Sequence, residues 1–303
     1  MEDNPSHNKQ QGNKMKNIFI AVCFVLCSFP AFAQNNKLET ATEKVQDNKQ
    51  LSLPKVVVTD KHLTNQFETV GEYNQPIWTT TRMFPSTRAY VMTPPGNVKY
   101  EKWFDFRDRK DGPTMIRMRD ELAFGLGNRL ELDLYHHTVY DGAANNQTFS
   151  TRGFSWEIRY ALADWGKIWG NPTLYFEHKM INGRQGIEPK LLLSDRIGNT
   201  DWIWATNFIY EANLSGETPA EQKKEYAVTA SVGKVFNENW MLGLSSHVRK
   251  YDYDTNLTEV YLGPAVNYKI NNNARISAEV MPKISDDGYY DSRSFMIFAY
   301  DFK

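Results

Sequence analysis

Cysteine is nearly absent: the 303 residues hold two, Cys23 and Cys27, and both fall within one apolar stretch near the start. If that stretch is a cleaved leader, the exported chain has no disulfide framework, and hydrogen bonding and packing must hold it. The sequence also lacks a CxxC pair, a glycine-rich phosphate loop and heptad repeats. Redox, nucleotide-binding and coiled-coil readings therefore have no motif to stand on. The formal net charge of −1 gives no general pull toward nucleic acid. Beyond residue 33, no stretch reaches the roughly 18 consecutive apolar residues of a membrane-spanning helix.

What is present begins with that leader. Met15-Lys16-Asn17 precedes the apolar run "IFIAVCFVLCSFPAFA", which closes on Ala31-Phe32-Ala33 before Gln34. A basic start, an apolar middle and an A-x-A end make residues 1–33 a secretory signal peptide, with Met15 as the expected initiator and residues 1–14 as a non-native extension. Neither cysteine follows a small residue, as a lipid-attachment site would require, so both are expected to leave with the signal. Residues 34–95 read as an N-terminal linker or plug-like segment. Within it, Val56-Val57-Val58-Thr59 resembles a TonB box, the short strand of energised outer-membrane transporters. Such transporters need a plug and a barrel of about 22 strands, too many for this chain, so a linker or edge strand is the expectation. Residues 64–95 carry Trp78, Arg82, Phe84, Arg88 and Tyr90 in an extended-looking stretch, which could enter a lumen or lie across a barrel mouth.

From Gly96 onward the chain alternates. Twelve segments of about ten residues switch between apolar and polar positions, near 97–107, 115–125, 129–140, 152–163, 172–181, 187–195, 201–213, 225–236, 240–250, 257–269, 274–284 and 293–302. Connections after even strands are mostly tight Gly/Asn turns such as "GLGNR" and "NNNA", and those after odd strands tend to be longer and polar. Aromatics are plentiful, with 8 Trp, 16 Tyr and 17 Phe. An even strand count, this asymmetry and an apolar face rich in aromatics predict an all-β fold: a transmembrane, antiparallel, up-and-down β-barrel of about 12 strands over 96–303. In "RLELDLYH", Leu130, Leu132 and Leu134 then face lipid, while Glu131 and Asp133 face a lumen.

The last residues, "FMIFAYDFK", resemble the C-terminal recognition signal of Gram-negative outer-membrane proteins, with Phe302 at its end and Lys303 trailing as a departure. The segments "TPPGNVKYEKWFDFRDRKDG" and "RDELAFGLGNRLELDLY" resemble uncharacterised barrels of the MetA-pathway phenol-degradation outer-membrane group. That resemblance implies transport of an unknown substrate. The class resemblance implies residence in the cell outer membrane, contact with its lipid and lipopolysaccharide, and insertion through the barrel-assembly machinery.

Two sets of residues are candidates for function. Glu101, Asp105, Arg107, Arg117, Arg119, Glu121, Glu131, Asp133, Glu157 and Arg159 share the polar face of the first four strands. They read either as a charged constriction that filters solutes or as a salt-bridged ladder that stiffens a narrow barrel. Both signs occur in similar number, so no ion preference follows. Lys102, Asp120 and His136 instead interrupt the apolar face. A loop centred on Asp111 sets Lys102 opposite Asp120, nine positions to either side, and places His136 beside them.

An outward cluster with histidine raises a phospholipase-like hydrolase as the alternative, and a closed structural or binding barrel is a third reading. The hydrolase needs a nucleophile within reach of its base, and none falls in this register, so the chain is read as a non-enzyme. His136 and His137 face opposite sides and cannot share a metal, and "SDDGYYD" (285–291) is expected to be a solvated loop rather than a calcium site. No metal or cofactor is implied, and a homo-oligomer stays open. The function expected is porin-like passive passage of small polar or ionic solutes.

Overall fold

The computed structural model describes residues 65–90, 93–142, 148–216, 223–252, 257–286 and 288–302. The leader, the Val56–Thr59 run, Asp287 and Lys303 lie outside the described residues.

The chain first forms a small element, in which β1 (Thr69–Val70) pairs with β2 (Gln75–Pro76) between two short 3-10 turns, Asn65–Phe67 and Ile77–Thr80. Twelve long strands follow: β3 (Val98–Arg109), β4 (Met115–Gly127), β5 (Leu130–Asp141), β6 (Thr148–Ala161), β7 (Thr173–Ile181), β8 (Arg184–Arg196), β9 (Trp202–Asn213), β10 (Lys224–Val235), β11 (Trp240–Tyr251), β12 (Thr258–Lys269), β13 (Ala274–Pro282) and β14 (Tyr290–Phe302). Each pairs antiparallel with its sequence neighbours, and β14 closes on β3 through twelve residue pairs from Tyr290↔Arg109 to Phe302↔Val98. Closure removes both sheet edges. The barrel carries the strands where the alternation placed them, with shifts of a few residues at their ends. The β7–β8 connection is tighter than its polar sequence suggested: Asn182 and Gly183 both take positive φ, 54° and 72°, as a two-residue type I′ hairpin requires.

The two faces are chemically opposite. Leu122, Leu134, Phe154, Leu174, Phe208, Leu244 and other large apolar side chains are exposed on the outer wall. Aromatic pairs ring that wall at both ends. Trp169–Trp204, Trp240–Tyr268 and Tyr300–Phe302 lie toward the termini, and Tyr140–Phe149 and Tyr210–Tyr226 toward the opposite end. Water would penalise so continuous an apolar belt, whereas lipid with two aromatic girdles accommodates it. The termini and the shorter turns share one end, which is the periplasmic end of such a barrel.

Residues 65–90 and 93–97 enter this barrel and fill the periplasmic half of its interior. Trp78, Met83, Phe84 and Ala89 pack against Ile203, Ala205, Val235 and Met241 of the wall. Backbone groups of the segment are satisfied by the wall: Asn207 Nδ2 donates to the Arg88 carbonyl at 2.6 Å and Asn267 Nδ2 to the Arg82 carbonyl at 2.9 Å. The segment passes onto β3 across Gly125, whose amide donates to Asn97 O at 3.2 Å and whose carbonyl accepts from Gly96 N at 3.0 Å. A Cβ at Gly125 would overlap the carbonyl oxygens of Thr93 and Pro94, so this crossing depends on glycine.

Candidate functional site

The alternation of β3–β6 sends its polar members inward. Glu101, Asp105, Arg107, Glu121, Glu131, Asp133, Glu157 and Arg159 are buried in the interior, and Arg117 and Arg119 line the cavity above them. These ten residues divide into two layers along the barrel axis.

The periplasmic layer is acidic and is neutralised partly from the inserted segment. Arg82 Nε donates to Glu101 at 2.7 Å, and a terminal nitrogen of Arg88 donates to Glu121 at 2.9 Å and to the Tyr135 hydroxyl oxygen at 2.6 Å. Asp133 and Glu157 lie 3.5 and 3.6 Å from the same Arg88 nitrogen. From the wall, Arg159 pairs with Glu131 and Asp133, and its Nε lies 2.7 Å from Glu157. Thr93 N donates to Glu131. Burial works against the charge of Arg88, but Glu121, Glu157, Tyr135 and Asp133 together hold its guanidinium well above the ordinary arginine range. So the acids of this layer anchor the insert as well as one another. The sequence left the position of Arg82 and Arg88 open because their partners lie on strands 19 to 69 residues away, beyond any local pattern.

The second layer faces the other end and is basic. Above the insert lies a cavity of about 1050 Å³, bounded by Arg82, Ser86 and Arg88 below and reaching Lys110, Asp111, Tyr289 and Lys223 in the loops. Trp103 marks the boundary: the guanidinium carbons of Arg82 and Arg119 sit 4.0 and 4.1 Å from its ring centre, and its Nε1 donates to Glu121 at 2.9 Å. Besides Arg107, Arg117 and Arg119, the walls carry Arg152, Arg249 and Arg293. The last three were not among the candidates. Arg249 and Arg293 obey the same inward alternation on β11 and β14 and could have been found by extending it. Arg152 could not. Below it, even-numbered residues of β6 such as Phe154 and Trp156 face outward, and a bulge between the Gly153 and Thr151 pairings turns Arg152 inward.

On the outer wall, Lys102 pairs with Asp120 and Asp120 with His136, as the loop count predicted. Lys102 Nζ lies 2.9 and 2.8 Å from the two Asp120 oxygens, and the Tyr100 hydroxyl donates to Asp120 at 2.7 Å. His136 Nδ1 is 3.9 Å from Asp120, with its ring 5.1 Å from that of Phe154. No hydroxyl or thiol hydrogen-bonds His136 among the described residues. The cluster is a lateral charge pair capped by aromatics. Lys102→Met, which leaves Asp120 facing lipid without its cation, is expected to cost about 1–2 kcal/mol. Urea titration of the folded band on gels measures this, and an unchanged midpoint would contradict the pairing.

An apolar, aromatic-girdled exterior around a closed twelve-stranded wall is decisive for the class. The chain is an outer-membrane β-barrel protein. A family described as "Putative MetA-pathway of phenol degradation" matches residues 182–296, the half of the barrel from the β7–β8 hairpin into β14. The segments that carried the resemblance in the sequence lie in the other half of the barrel, outside the matched residues. Among solved structures, an outer-membrane channel from Pseudomonas putida F1 is similar at 10% identity and a TM-score of 0.49, over 70% of this chain and 98% of that one. The KdgM porin is similar at 13% identity and 0.47, over 68% and 99%, and the NanC porin at 12% identity and 0.46, over 68% and 99%. No curated protein matches the chain in sequence.

Proposed function

We propose that this barrel is a channel for passive passage of small polar or ionic solutes, narrowed on its periplasmic side by the inserted segment that precedes β3. The observation that carries the reading is the 1050 Å³ polar cavity inside a lipid-facing wall. A barrel of 8 strands is filled by its own side chains, and one of 16 to 18 holds an open aqueous channel. Twelve strands leave space that must be either water or an insert, and here the insert takes one half. The charged layers then act by size and sign on whatever crosses.

A hydrolase reading finds less support. Inside the lumen, Ser155 Oγ lies 2.8 Å from His137 Nε2, but its hydroxyl donates to Glu177 Oε1 at 2.6 Å. The single hydroxyl proton is committed to the carboxylate, so His137 is the donor to Ser155 and cannot act as its base. Purified protein in planar lipid bilayers is expected to give discrete current steps in potassium chloride. Absence of steps at every voltage would sink the channel reading. Phospholipid turnover lost on His136→Ala would revive the hydrolase.

A further inference from the structure

Building on the channel reading, we propose that the outward half of the lumen is a binding site for a small multivalent oxyanion, a solute bearing two or more carboxylate or phosphate groups. Three independent observations lead there.

The first is a surplus of cations. Arg107, Arg117, Arg152, Arg249 and Arg293 all line the one cavity. Their carboxylate partners are two: Asp105, at 2.7 Å from Arg107 and 3.4 Å from Arg293, and Glu225, at 2.7 Å from Arg249. The side chains of Arg117 and Arg152 have neither an ion pair nor a hydrogen bond among the described residues. In the acidic layer below, by contrast, every arginine touches at least two carboxylates.

The second is a set of buried donors without acceptors. Arg293 is 4% exposed and its Nε is unpartnered; its Nη1 lies 3.0 Å from His247 Nδ1. A guanidinium can only donate, so Nδ1 accepts and the imidazole proton sits on Nε2. That Nε2, in a side chain 5% exposed, has no partner either. Asp105 Oδ1 is an unpaired acceptor in the same wall, but it sits between two arginines. Buried donors left unmet are costly, and an oxyanion satisfies several at once.

The third is the β6 bulge. Regular alternation would aim Arg152 at lipid. The bulge aims it into the cavity and leaves Gly153 at φ 142°, where a Cβ would overlap the Met180 carbonyl oxygen. An irregularity that needs glycine thus adds an uncompensated cation to the lumen. Guanidinium forks match carboxylate and phosphate oxygens in geometry as well as charge, and a cavity of this volume suits a ligand of small-molecule size.

Isothermal titration calorimetry on the detergent-solubilised protein tests this, with citrate, inorganic pyrophosphate and neutral sucrose as probes. At least one anion should bind, more weakly as sodium chloride is raised, and sucrose should not. Citrate alone would assign carboxylates and pyrophosphate alone phosphates; either supports the site. Arg117→Gln and Arg152→Gln should each weaken binding about tenfold. Neither breaks an ion pair among the described residues, so both should still migrate as folded barrels on unboiled gels. Lys234→Gln, on the outer wall, should change nothing. Binding of neither anion, equal binding of sucrose, or unaltered affinity in both arginine variants would overturn the proposal. Calorimetry needs no conduction, so the two readings fail separately. A barrel that conducts but binds no anion refutes only the site, and one that binds citrate but never conducts refutes only the channel.

Discussion

Deleting residues 65–96 is expected to raise single-channel conductance several-fold and to shift ion preference toward cations. The insert occupies the periplasmic half of the lumen with Trp78, Phe84 and Tyr90, all essentially unexposed, and ions must pass around it. Without it, the narrowest cross-section becomes that of the wall itself, and a twelve-stranded wall is wider than its own side chains can fill. The change in selectivity follows from the layer that the insert neutralises. Glu131, Asp133 and Glu157 would keep Arg159 as their wall partner, while Glu101 and Glu121 would lose Arg82, and Glu121, Asp133 and Glu157 would lose Arg88. Water entering the vacated space would solvate the freed carboxylates, so the barrel should still assemble while its inner layer turns net negative. Conductance and reversal potential in a potassium chloride gradient measure both effects. A milder version, Arg82→Gln with Arg88→Gln, should move the reversal potential in the same direction. If conductance and reversal potential both stayed at the wild-type values, the insert would not be the element that narrows the lumen.

Much of this arrangement is legible in the sequence alone, and the boundary of what is legible has a physical cause. A strand reports its two faces at every second residue, so twelve strands and the inward set from Glu101 to Arg159 follow from local alternation. Register between β3 and β4 follows too, because a short loop fixes it: Lys102 meets Asp120. Residues 65–95 carry no such period. Their place is set by long-range matches, Arg88 to Glu121 and Glu157 or Thr93 to Glu131, each meaningless until the barrel has closed. The heights of the charges were hidden for a related reason. Counting signs along β3–β6 gave near equality, yet closure stacks all of those acids but Asp105 at one height, with Arg159, and leaves the other arginines of β3, β4, β6, β11 and β14 around another. Segregation along an axis is a property of the closed sheet. The inward turn of Arg152 was hidden as well, since a bulge cannot be told from regular alternation by composition alone.

The acidic layer should also be the most sensitive point for stability. Arg159 is fully buried and touches three carboxylates, Glu131, Asp133 and Glu157, all of them buried. Replacing it by methionine keeps most of the apolar volume and removes the charge. Three buried carboxylates would then share Arg88 and the Thr93 amide beneath the insert. Breaking a buried pair by removing one partner costs about 3–5 kcal/mol, because the other charge remains desolvated, and this variant should fall in that range. The outer-wall change Lys102→Met is smaller because Lys102 and Asp120 are each partly exposed. Urea-induced loss of the folded gel band gives the difference directly. Adding Asp133→Asn to the methionine variant should recover part of the loss, since it removes one stranded charge while keeping the side-chain volume. Non-additivity of that sign is the signature of charge stranding. If the double variant were less stable than Arg159→Met alone, the loss would come from packing, and the layer would not be held together by its ion pairs.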